Sequence, residues 1–379
     1  MHAKPAAADH AAALEELSKR FAPDKRTDRL VAAVTNGSIE GYTTLVAGQN
    51  ALDSLAGASK ELVNNVRLLP DTAVGDRSVG VIKVSVANLR SRPGHNQELA
   101  TQALLGTPIR VLDEQDEWFL VRTPDGYLAW LEPGAFVSMT GEELAAYQRE
   151  DLRMVDGETR AVTSNDEYRD VLSAITPGGI IAARAPSSRS GQSVALPNGD
   201  RGTVPAKDLH TFKEWANPRE LKSQELVNTA LRFSGQPYLW GGTSPNGMDC
   251  SGFTKMVYYL NGFVIPRDAS QQVHAGTEVP LTEDLANLAV GDLLFFGAIR
   301  DDGSQRITHV GFYLGAGRLL HAGADNGRIT ENNLIAGEPL YNALRRKTLL
   351  RAKRLTPGTD GVITVADAFA RIHTKSSSR

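Results

Sequence analysis

Cysteine is almost absent from this chain, because Cys250 is the only one among 379 residues. A single thiol excludes a disulfide within the chain, and no Cys/His cluster has the spacing of zinc ligands. An excess of one charge is also missing, since the formal net charge is −3. The sequence therefore lacks the basic surplus that nucleic-acid binding needs, and it implies neither a metal nor an organic cofactor.

Long apolar runs are lacking too. No stretch approaches the roughly 20 apolar residues of a membrane-spanning helix. The opening segment, MHAKPAAADHAAALEELSKRF, has no apolar signal core followed by a cleavage site. Two interpretations stay open: the chain is the full native protein and remains in the cytoplasm, or a leader has been removed from an exported protein.

Glycine and proline, in contrast, are plentiful at 35 and 18 residues, and the chain is too long for one ordinary core. We therefore predict a multidomain α+β protein with turn-rich β segments. Its expected parts are a small α+β accessory unit at 1–75, a β-barrel at 76–140, a second barrel at 150–212, a larger α+β domain at 220–355 and a polar, solvated tail at 356–379. We expect a monomer.

The first unit has one strong local motif. Asn36-Gly37 lies between two short runs of strand-forming residues, which predicts a β-hairpin. Residues 11–21 have apolar positions at helical spacing, and helical spacing returns over 51–69.

The two barrel segments share an outline. RTPDGYLAWLEPGAF (122–136) and ALPNGDRGTVPAKDL (195–209) align by eye, each with a Pro-led turn before a final strand. This pattern favours two copies of one barrel, and chance similarity of turn residues is the alternative.

The lone cysteine follows a glycine-rich turn in YLWGGTSPNGMDCSGF. After it, Phe253, Met256, Val257 and Leu260 recur at helical spacing, so Cys250 is predicted to begin a helix. Backbone N–H groups at a helix start stabilise a thiolate, and we therefore expect a lowered thiol pKa and a nucleophile. A buried structural cysteine is the alternative.

A cysteine nucleophile needs a base, and the base needs an orienting partner. In ITHVGFYLGAGRLLHAG, a hairpin turning near Ala316 gives His309 and His321 the same parity on adjacent strands. Both imidazoles are then expected on one face of the sheet, close enough to interact.

These motifs, with GDLLFF between them, resemble the NlpC-type papain-like cell-wall peptidases over residues 222–340. The upstream barrels resemble bacterial SH3-like domains, and the whole layout is similar to γ-D-glutamyl-L-diamino-acid endopeptidases of the YkfC type. The resemblance implies a papain-like C-terminal catalytic domain, with helices packed on an antiparallel sheet, preceded by two SH3-like β-barrels and the small N-terminal α+β unit.

The resemblance also implies residue roles. Cys250 would be the nucleophile, His309 the general base and His321 its orienting partner, while the Tyr238 hydroxyl and the Cys250 backbone N–H would bind the oxyanion. Asp249 would bind the free amine of an N-terminal L-Ala, besides capping the helix. The residues expected to bind substrate are Asp249, Ser251, Trp240, Glu98, Tyr127, Arg267 and Asp268. Ala269 departs from the family pattern, which has a hydroxyl residue there.

The implied function is a cysteine endopeptidase that cleaves the γ-D-glutamyl–diamino acid bond of peptidoglycan stem peptides with a free N-terminal L-Ala, in murein peptide recycling. A lytic endopeptidase acting on intact cell wall, a related Cys-His-His acyltransferase or amidase, and a wall-binding scaffold without activity are the alternatives. Such an enzyme would act in the bacterial cell envelope if exported, and in the cytoplasm otherwise.

Overall fold

The computed structural model describes residues 5–59, 62–157, 159–162, 171–188 and 191–373. Its first unit has a three-stranded sheet of order β1-β2-β3 with two helices against it. The elements are α1 (Pro5–Phe21), β1 (Leu30–Thr35), β2 (Ser38–Thr43), α2 (Val46–Ala58) and β3 (Val63–Leu68). Asn36 and Gly37 both have positive φ, as a two-residue hairpin turn requires, so the Asn-Gly prediction is confirmed.

The expected helical spacing over 51–69 is wrong in its second half. Helix α2 ends at Ala58, and Val63–Leu68 is a strand that pairs parallel with β2. The β-branched Val63 and Val66 favour the strand, and Val66 is buried in the core of the unit. Tertiary pairing across the α2 connection therefore outweighs the local helical pattern.

Two seven-stranded barrels follow, joined by helix α3 (Gly141–Gln148). The strands of the first are β4 (Val79–Ile82), β5 (Val86–Arg90), β6 (Leu99–Leu104), β7 (Pro108–Gln115), β8 (Trp118–Arg122), β9 (Leu128–Leu131) and β10 (Phe136–Met139). The strands of the second are β11 (Leu152–Val155), β12 (Thr159–Val162), β13 (Val171–Ile175), β14 (Ile180–Ser188), β15 (Gly191–Ala195), β16 (Arg201–Val204) and β17 (Leu209–Thr211).

The barrels have the same topology. Their sheet orders, β10-β4-β7-β8-β9-β5-β6 and β17-β11-β14-β15-β16-β12-β13, match strand for strand. The segments 122–136 and 195–209 also correspond, because Leu128 and Arg201 start equivalent strands, as do Phe136 and Leu209. The similarity of the two segments thus reflects a repeated unit rather than chance turn chemistry.

The C-terminal domain packs helices on a six-stranded sheet of order β21-β26-β22-β23-β24-β25. Its helices are α4 (Phe212–Trp215), α5 (Ser223–Arg232), α6 (Cys250–Leu260), α7 (Ala269–Gln272), α8 (Ala343–Thr348) and α9 (Val365–Ala370). Its strands are β18 (Thr243–Ser244), β19 (Gly247–Met248), β20 (Phe263–Val264), β21 (Thr277–Val279), β22 (Leu293–Ile299), β23 (Gln305–Gly315), β24 (Arg318–Gly323), β25 (Arg328–Asn333), β26 (Leu349–Arg354) and β27 (Ile363–Thr364). Helix α6 lies against β23 and β24, so the expected helix-on-sheet domain is confirmed.

The expected solvated tail is wrong for the residues that the structure describes. Strand β27 pairs with β20, and helix α9 buries Val365 and Phe369 in the main core. Thr364 caps this helix by accepting a hydrogen bond from the Asp367 N–H at 3.1 Å. Apolar positions at helical spacing therefore anchor the segment, although its composition is polar; residues 374–379 lie outside the described part of the chain.

One hydrophobic core joins the barrels to the C-terminal domain. It includes Val81 of the first barrel, Ile180 of the second and Tyr259 of helix α6. The Tyr259 hydroxyl donates a hydrogen bond to the Gly178 carbonyl at 3.1 Å. Apolar surface is therefore buried across these domain boundaries, and the barrels pack directly against the catalytic domain. None of the described helices is long and apolar enough to cross a membrane.

Candidate active site

Cys250 is the first residue of helix α6, as predicted. Asp249 caps this helix, because its Oδ1 accepts a hydrogen bond from the Gly252 N–H at 2.7 Å. Gly252 is required by packing, since a Cβ atom there would lie 2.0 Å from the carbonyl oxygen of Gly242. The glycine-rich turn before the cysteine therefore packs its backbone directly against the start of the helix, and this contact fixes the position of the thiol.

The Asp249 carboxylate is fully engaged. It receives two hydrogen bonds from the Arg267 guanidinium, at 3.0 and 2.6 Å, and three more from Ser251 Oγ and the N–H groups of Gly241 and Gly252. Arg267 is itself 1% exposed. The buried ion pair neutralises the carboxylate beside the nucleophile and ties the cysteine turn to the segment before α7.

Arg267, which was predicted to bind substrate, is buried and does not line the cleft. The physical reason is the neighbouring acid: a buried carboxylate needs a cation, and the planar guanidinium supplies two parallel donors. Ala269, where the family pattern has a hydroxyl residue, lines the cleft, and the next residue, Ser270, places a hydroxyl beside it there.

The two histidines meet as the hairpin parity predicted. The turn at Ala316 and Gly317 joins β23 to β24, and His309 Nε2 lies 3.0 Å from His321 Nδ1. On its far side, His321 Nε2 lies 2.8 Å from Asn332 Oδ1, on the neighbouring strand β25. His309 lines the cleft with Cys250, whereas His321 is fully buried behind it. This is the order of a base and its orienting partner.

Burial sets the protonation states of Cys250 and His309. It raises the pKa of the Cys250 thiol to about 12, and the Asp249 charge acts in the same direction. The N–H groups of Val310 and Ser251 favour the thiolate but do not outweigh burial, so the expected lowering of the thiol pKa is wrong for the free protein.

The base is neutral for the same reason. Burial lowers the pKa of His309 well below its usual range, and the charges of His321 and Arg345 lower it further. At neutral pH the site therefore holds a thiol and a neutral imidazole, and the thiolate forms only as a proton passes to His309.

Tyr238 is half-buried on the wall of the cleft. Burial raises the pKa of its phenol to about 12, with the neighbouring Cys250 and Asp249 acting in the same direction. The hydroxyl therefore keeps its proton and can donate a hydrogen bond. The backbone N–H of Cys250 belongs to the first turn of α6, where N–H groups have no acceptor within the helix. Both donors suit an oxyanion at the thiol.

Part of the wall of the cleft comes from the first barrel. Glu98 and Tyr127 line it, and Trp240 Nε1 donates a hydrogen bond to Glu98 Oε1 at 2.7 Å. Burial raises the pKa of Tyr127, and the neighbouring Asp268 carboxylate, which interacts with its hydroxyl, acts in the same direction. The predicted residues that line this one cleft are Cys250, His309, Tyr238, Asp249, Ser251, Trp240, Glu98, Tyr127 and Asp268.

Arg26 and Asn332 also belong to the site, although neither was predicted from the sequence. Arg26, from the N-terminal unit, lines the cleft and donates hydrogen bonds to Asp268 Oδ2 at 2.8 Å and to Ser270 Oγ at 2.9 Å. No motif indicates this contact, because it joins distant parts of the chain. Asn332 could have been found, since β24 and β25 pair His321 with Thr330 and place Asn332 on the same face.

No group of three or more His, Cys, Asp or Glu side chains among the described residues could hold a metal ion. The site brings together a thiol, a neutral imidazole with a buried polar partner, and two donors for an oxyanion. That set is the machinery of a papain-like cysteine peptidase.

Comparisons with known proteins agree with this class. Residues 235–351 match the NlpC/P60 family, and residues 89–135 match the bacterial dipeptidyl-peptidase Sh3 domain. The gamma-D-glutamyl-L-lysine dipeptidyl-peptidase of Bacillus subtilis (strain 168) is 31% identical over 232 residues, which cover 59% of this chain and 72% of the relative. Dipeptidyl-peptidase 6 of Lysinibacillus sphaericus is 28% identical over 288 residues, or 69% of this chain and 93% of the relative.

A crystal structure of an NlpC/P60 family protein from Bacillus cereus ATCC 10987 shares the fold. It superposes with a TM-score of 0.62 at 24% identity, and the match covers 74% of this chain and all of that one. The chain belongs to the NlpC/P60 family and is a multidomain cysteine peptidase with SH3-like domains in front of its catalytic domain.

Proposed function

We propose that the protein hydrolyses the γ-D-glutamyl–diamino acid bond of peptidoglycan stem peptides and acts on peptides with a free N-terminal L-Ala. The observation that carries this proposal is the wall that the first barrel contributes to the cleft, where Glu98 and Tyr127 line the same cavity as Cys250. A cleft walled in this way suits a short peptide end. The names of the Bacillus and Lysinibacillus relatives, all dipeptidyl-peptidases, support the same activity.

The reaction starts with proton transfer. His309 takes the proton of Cys250 as the sulfur attacks the γ-carbonyl carbon of D-Glu, and the carbonyl oxygen becomes an oxyanion. The Tyr238 hydroxyl and the Cys250 N–H bind this oxyanion. When the intermediate collapses, protonated His309 donates to the amine of the diamino acid, which leaves. A water molecule, deprotonated by His309, then attacks the thioester carbon. The C–S bond breaks, L-Ala-D-Glu is released, and the Cys250 sulfur takes the proton back from His309.

The free amine of the substrate needs an available carboxylate. Asp249 is saturated with hydrogen bonds and neutralised by Arg267, and Asp268 is shared between Arg26 and Tyr127. Glu98 is exposed and has the Trp240 indole as its side-chain partner. We therefore assign the ammonium group to Glu98, with Asp249 as a structural residue. This assignment shifts the amine-binding role from the residue that the family resemblance implied.

The direct test is mass spectrometry of L-Ala-γ-D-Glu-diaminopimelate after incubation with the purified protein. Release of L-Ala-D-Glu by the wild type, and none by Cys250→Ala, supports the proposal. An acyltransferase would instead join the dipeptide to an added amine such as glycinamide and give little free dipeptide. Release of L-Ala-D-Glu by the Cys250→Ala variant at the wild-type rate would rule out the mechanism.

We expect the enzyme to be located in the compartment where such peptides occur. It acts as a monomer in the cell envelope if the chain is exported, and in the cytoplasm if imported peptides are its substrate. Fractionation of the source cells, with immunodetection of the protein, separates these two locations.

A further inference from the structure

The hydrogen-bond chain of the site continues beyond His321. Asn332 Oδ1 lies 2.8 Å from His321 Nε2 and also accepts a hydrogen bond from Asn342 Nδ2 at 3.1 Å. Asn342 is the N-cap of α8, and its Oδ1 accepts from the backbone N–H of Arg345 at 3.0 Å. The chain thus runs from a backbone amide through two asparagines to the two imidazoles.

The backbone amide fixes the direction of every bond in this chain. A backbone N–H can only donate, so the Asn342 atom facing Arg345 is the amide oxygen and its other end is the NH2 group. That NH2 group can only donate, so the Asn332 atom facing it is an oxygen as well. An oxygen that faces His321 Nε2 requires a proton on that nitrogen.

The proton on His321 Nε2 also determines which ring nitrogen of His309 is protonated. A neutral imidazole carries one N–H, so His321 Nδ1 has a free lone pair and must accept from His309. His309 Nε2 then carries the proton, and His309 Nδ1 has the lone pair. Nε2 is occupied by His321, so Nδ1 is the nitrogen that remains for the thiol of Cys250.

We propose that Asn342 and Asn332 are positioning residues that set the tautomers of His321 and His309 and so keep the base able to accept the thiol proton. Reversal of the chain would put a proton on His309 Nδ1 and abolish its function as a base. The inference rests on the proposed role of His309 in peptide hydrolysis. It adds the asparagines as the groups that determine which ring nitrogen is free.

Charged residues close to His309 and His321 shift the pKa values of both imidazoles, so the test needs a matched control. Arg345 and Asp325 form an ion pair at 3.2 Å; Arg345 lowers the pKa of both histidines, and Asp325 raises that of His321. A new carboxylate nearby would also raise these pKa values, so a changed pH profile alone would not reveal a tautomer. Two variants that add the same charge at different links of the chain separate the two effects.

The first variant is Asn342→Asp, which has nearly the same shape and keeps a good N-cap for α8. Its carboxylate places an oxygen where the NH2 group was, so the Asn332 amide turns to present its own NH2 group. His321 Nε2 then accepts, and His309 Nδ1 becomes protonated. We expect the pH-independent maximum of kcat to fall about 100-fold, the lower end of what general-base catalysis contributes.

The second variant is Asn332→Asp, which adds the same charge. Its carboxylate has no hydrogen to donate, so it can only accept a hydrogen bond from His321 Nε2. It preserves the tautomers, so kcat should fall no more than a few-fold, while the acid limb of the pH profile moves upward. Equal losses in the two variants would overturn the proposal, because charge or packing alone would then explain both.

A readout without substrate completes the test. Imidazole ¹⁵N NMR of the full-length protein distinguishes protonated from unprotonated ring nitrogens. We expect His309 to carry its proton on Nε2 in the wild type and in Asn332→Asp, and on Nδ1 in Asn342→Asp. A proton on Nδ1 in the wild type would contradict the proposal. If the peptide is not hydrolysed at all, the proposed function fails while the spectrum still decides the tautomer.

Discussion

The buried ion pair beneath the nucleophile gives the sharpest prediction about stability. Replacing Arg267 with Met removes the guanidinium that binds both oxygens of Asp249, at 3.0 and 2.6 Å, and keeps a side chain of similar length. The carboxylate, 7% exposed, then remains as a buried charge without its cation. Removing one partner of a buried pair costs about 3–5 kcal/mol in the free energy of unfolding.

The double variant Asp249→Asn/Arg267→Met provides the matched control. It removes the charge together with its partner, so part of the loss should return. We expect a coupling free energy of about 1–3 kcal/mol between the two positions. Urea unfolding of the wild type, the two single variants Asp249→Asn and Arg267→Met, and the double variant, followed by circular dichroism, gives the four free energies of the cycle from the transition midpoints and slopes.

Catalytic activity should also depend on the ion pair between Asp249 and Arg267. The Asp249 side chain holds Gly241 and Gly252 in place around Cys250, so Arg267→Met should lower kcat as well as stability. A loss of less than 1 kcal/mol in Arg267→Met, or a double variant no more stable than the single one, would refute the account of Asp249 as a saturated structural carboxylate.

Other predictions concern the reaction itself. Cys250→Ala should abolish peptide hydrolysis and leave the unfolding midpoint within a few degrees of the wild type, as thermal denaturation will show. His309→Ala should lose on the order of 100-fold or more in kcat, and His321→Ala should lose less, in assays of dipeptide release. Because His309 must be neutral to accept a proton and its pKa is lowered, activity should persist as the pH falls well below 6.5. Alkylation of Cys250 by iodoacetamide should be slow at pH 7 and rise towards pH 12, in line with the raised thiol pKa; fast alkylation at pH 7 would show a preformed thiolate. Glu98→Gln should raise KM for a peptide with a free amine and leave KM for an N-acetylated one unchanged.

Local patterns predicted much of this protein. Asn36-Gly37 determines a two-residue turn through its positive φ values, and strand parity placed His309 and His321 on one face. Cys250 follows a capping residue and precedes a helical run of apolar residues, so the helix start was readable as well. In each case the physical cause lies within about ten residues of chain.

Features that depend on distant contacts were not readable. Arg267 looked like a groove residue, yet the acid that it neutralises makes it one of the most buried side chains. Arg26 reaches the cleft from another domain, and no local pattern signals this. Phe369 and its neighbours anchor the C-terminal segment because the main core offers an apolar surface there, which composition alone does not reveal.

The most direct measurement compares two substrates by mass spectrometry: L-Ala-γ-D-Glu-diaminopimelate and the same peptide with an acetylated N-terminus. We expect release of L-Ala-D-Glu from the free peptide and little cleavage of the acetylated one, because we assign the ammonium group to Glu98, which lines the cleft together with Cys250. Equal cleavage of both peptides would contradict it and indicate an open-groove endopeptidase that acts on intact wall.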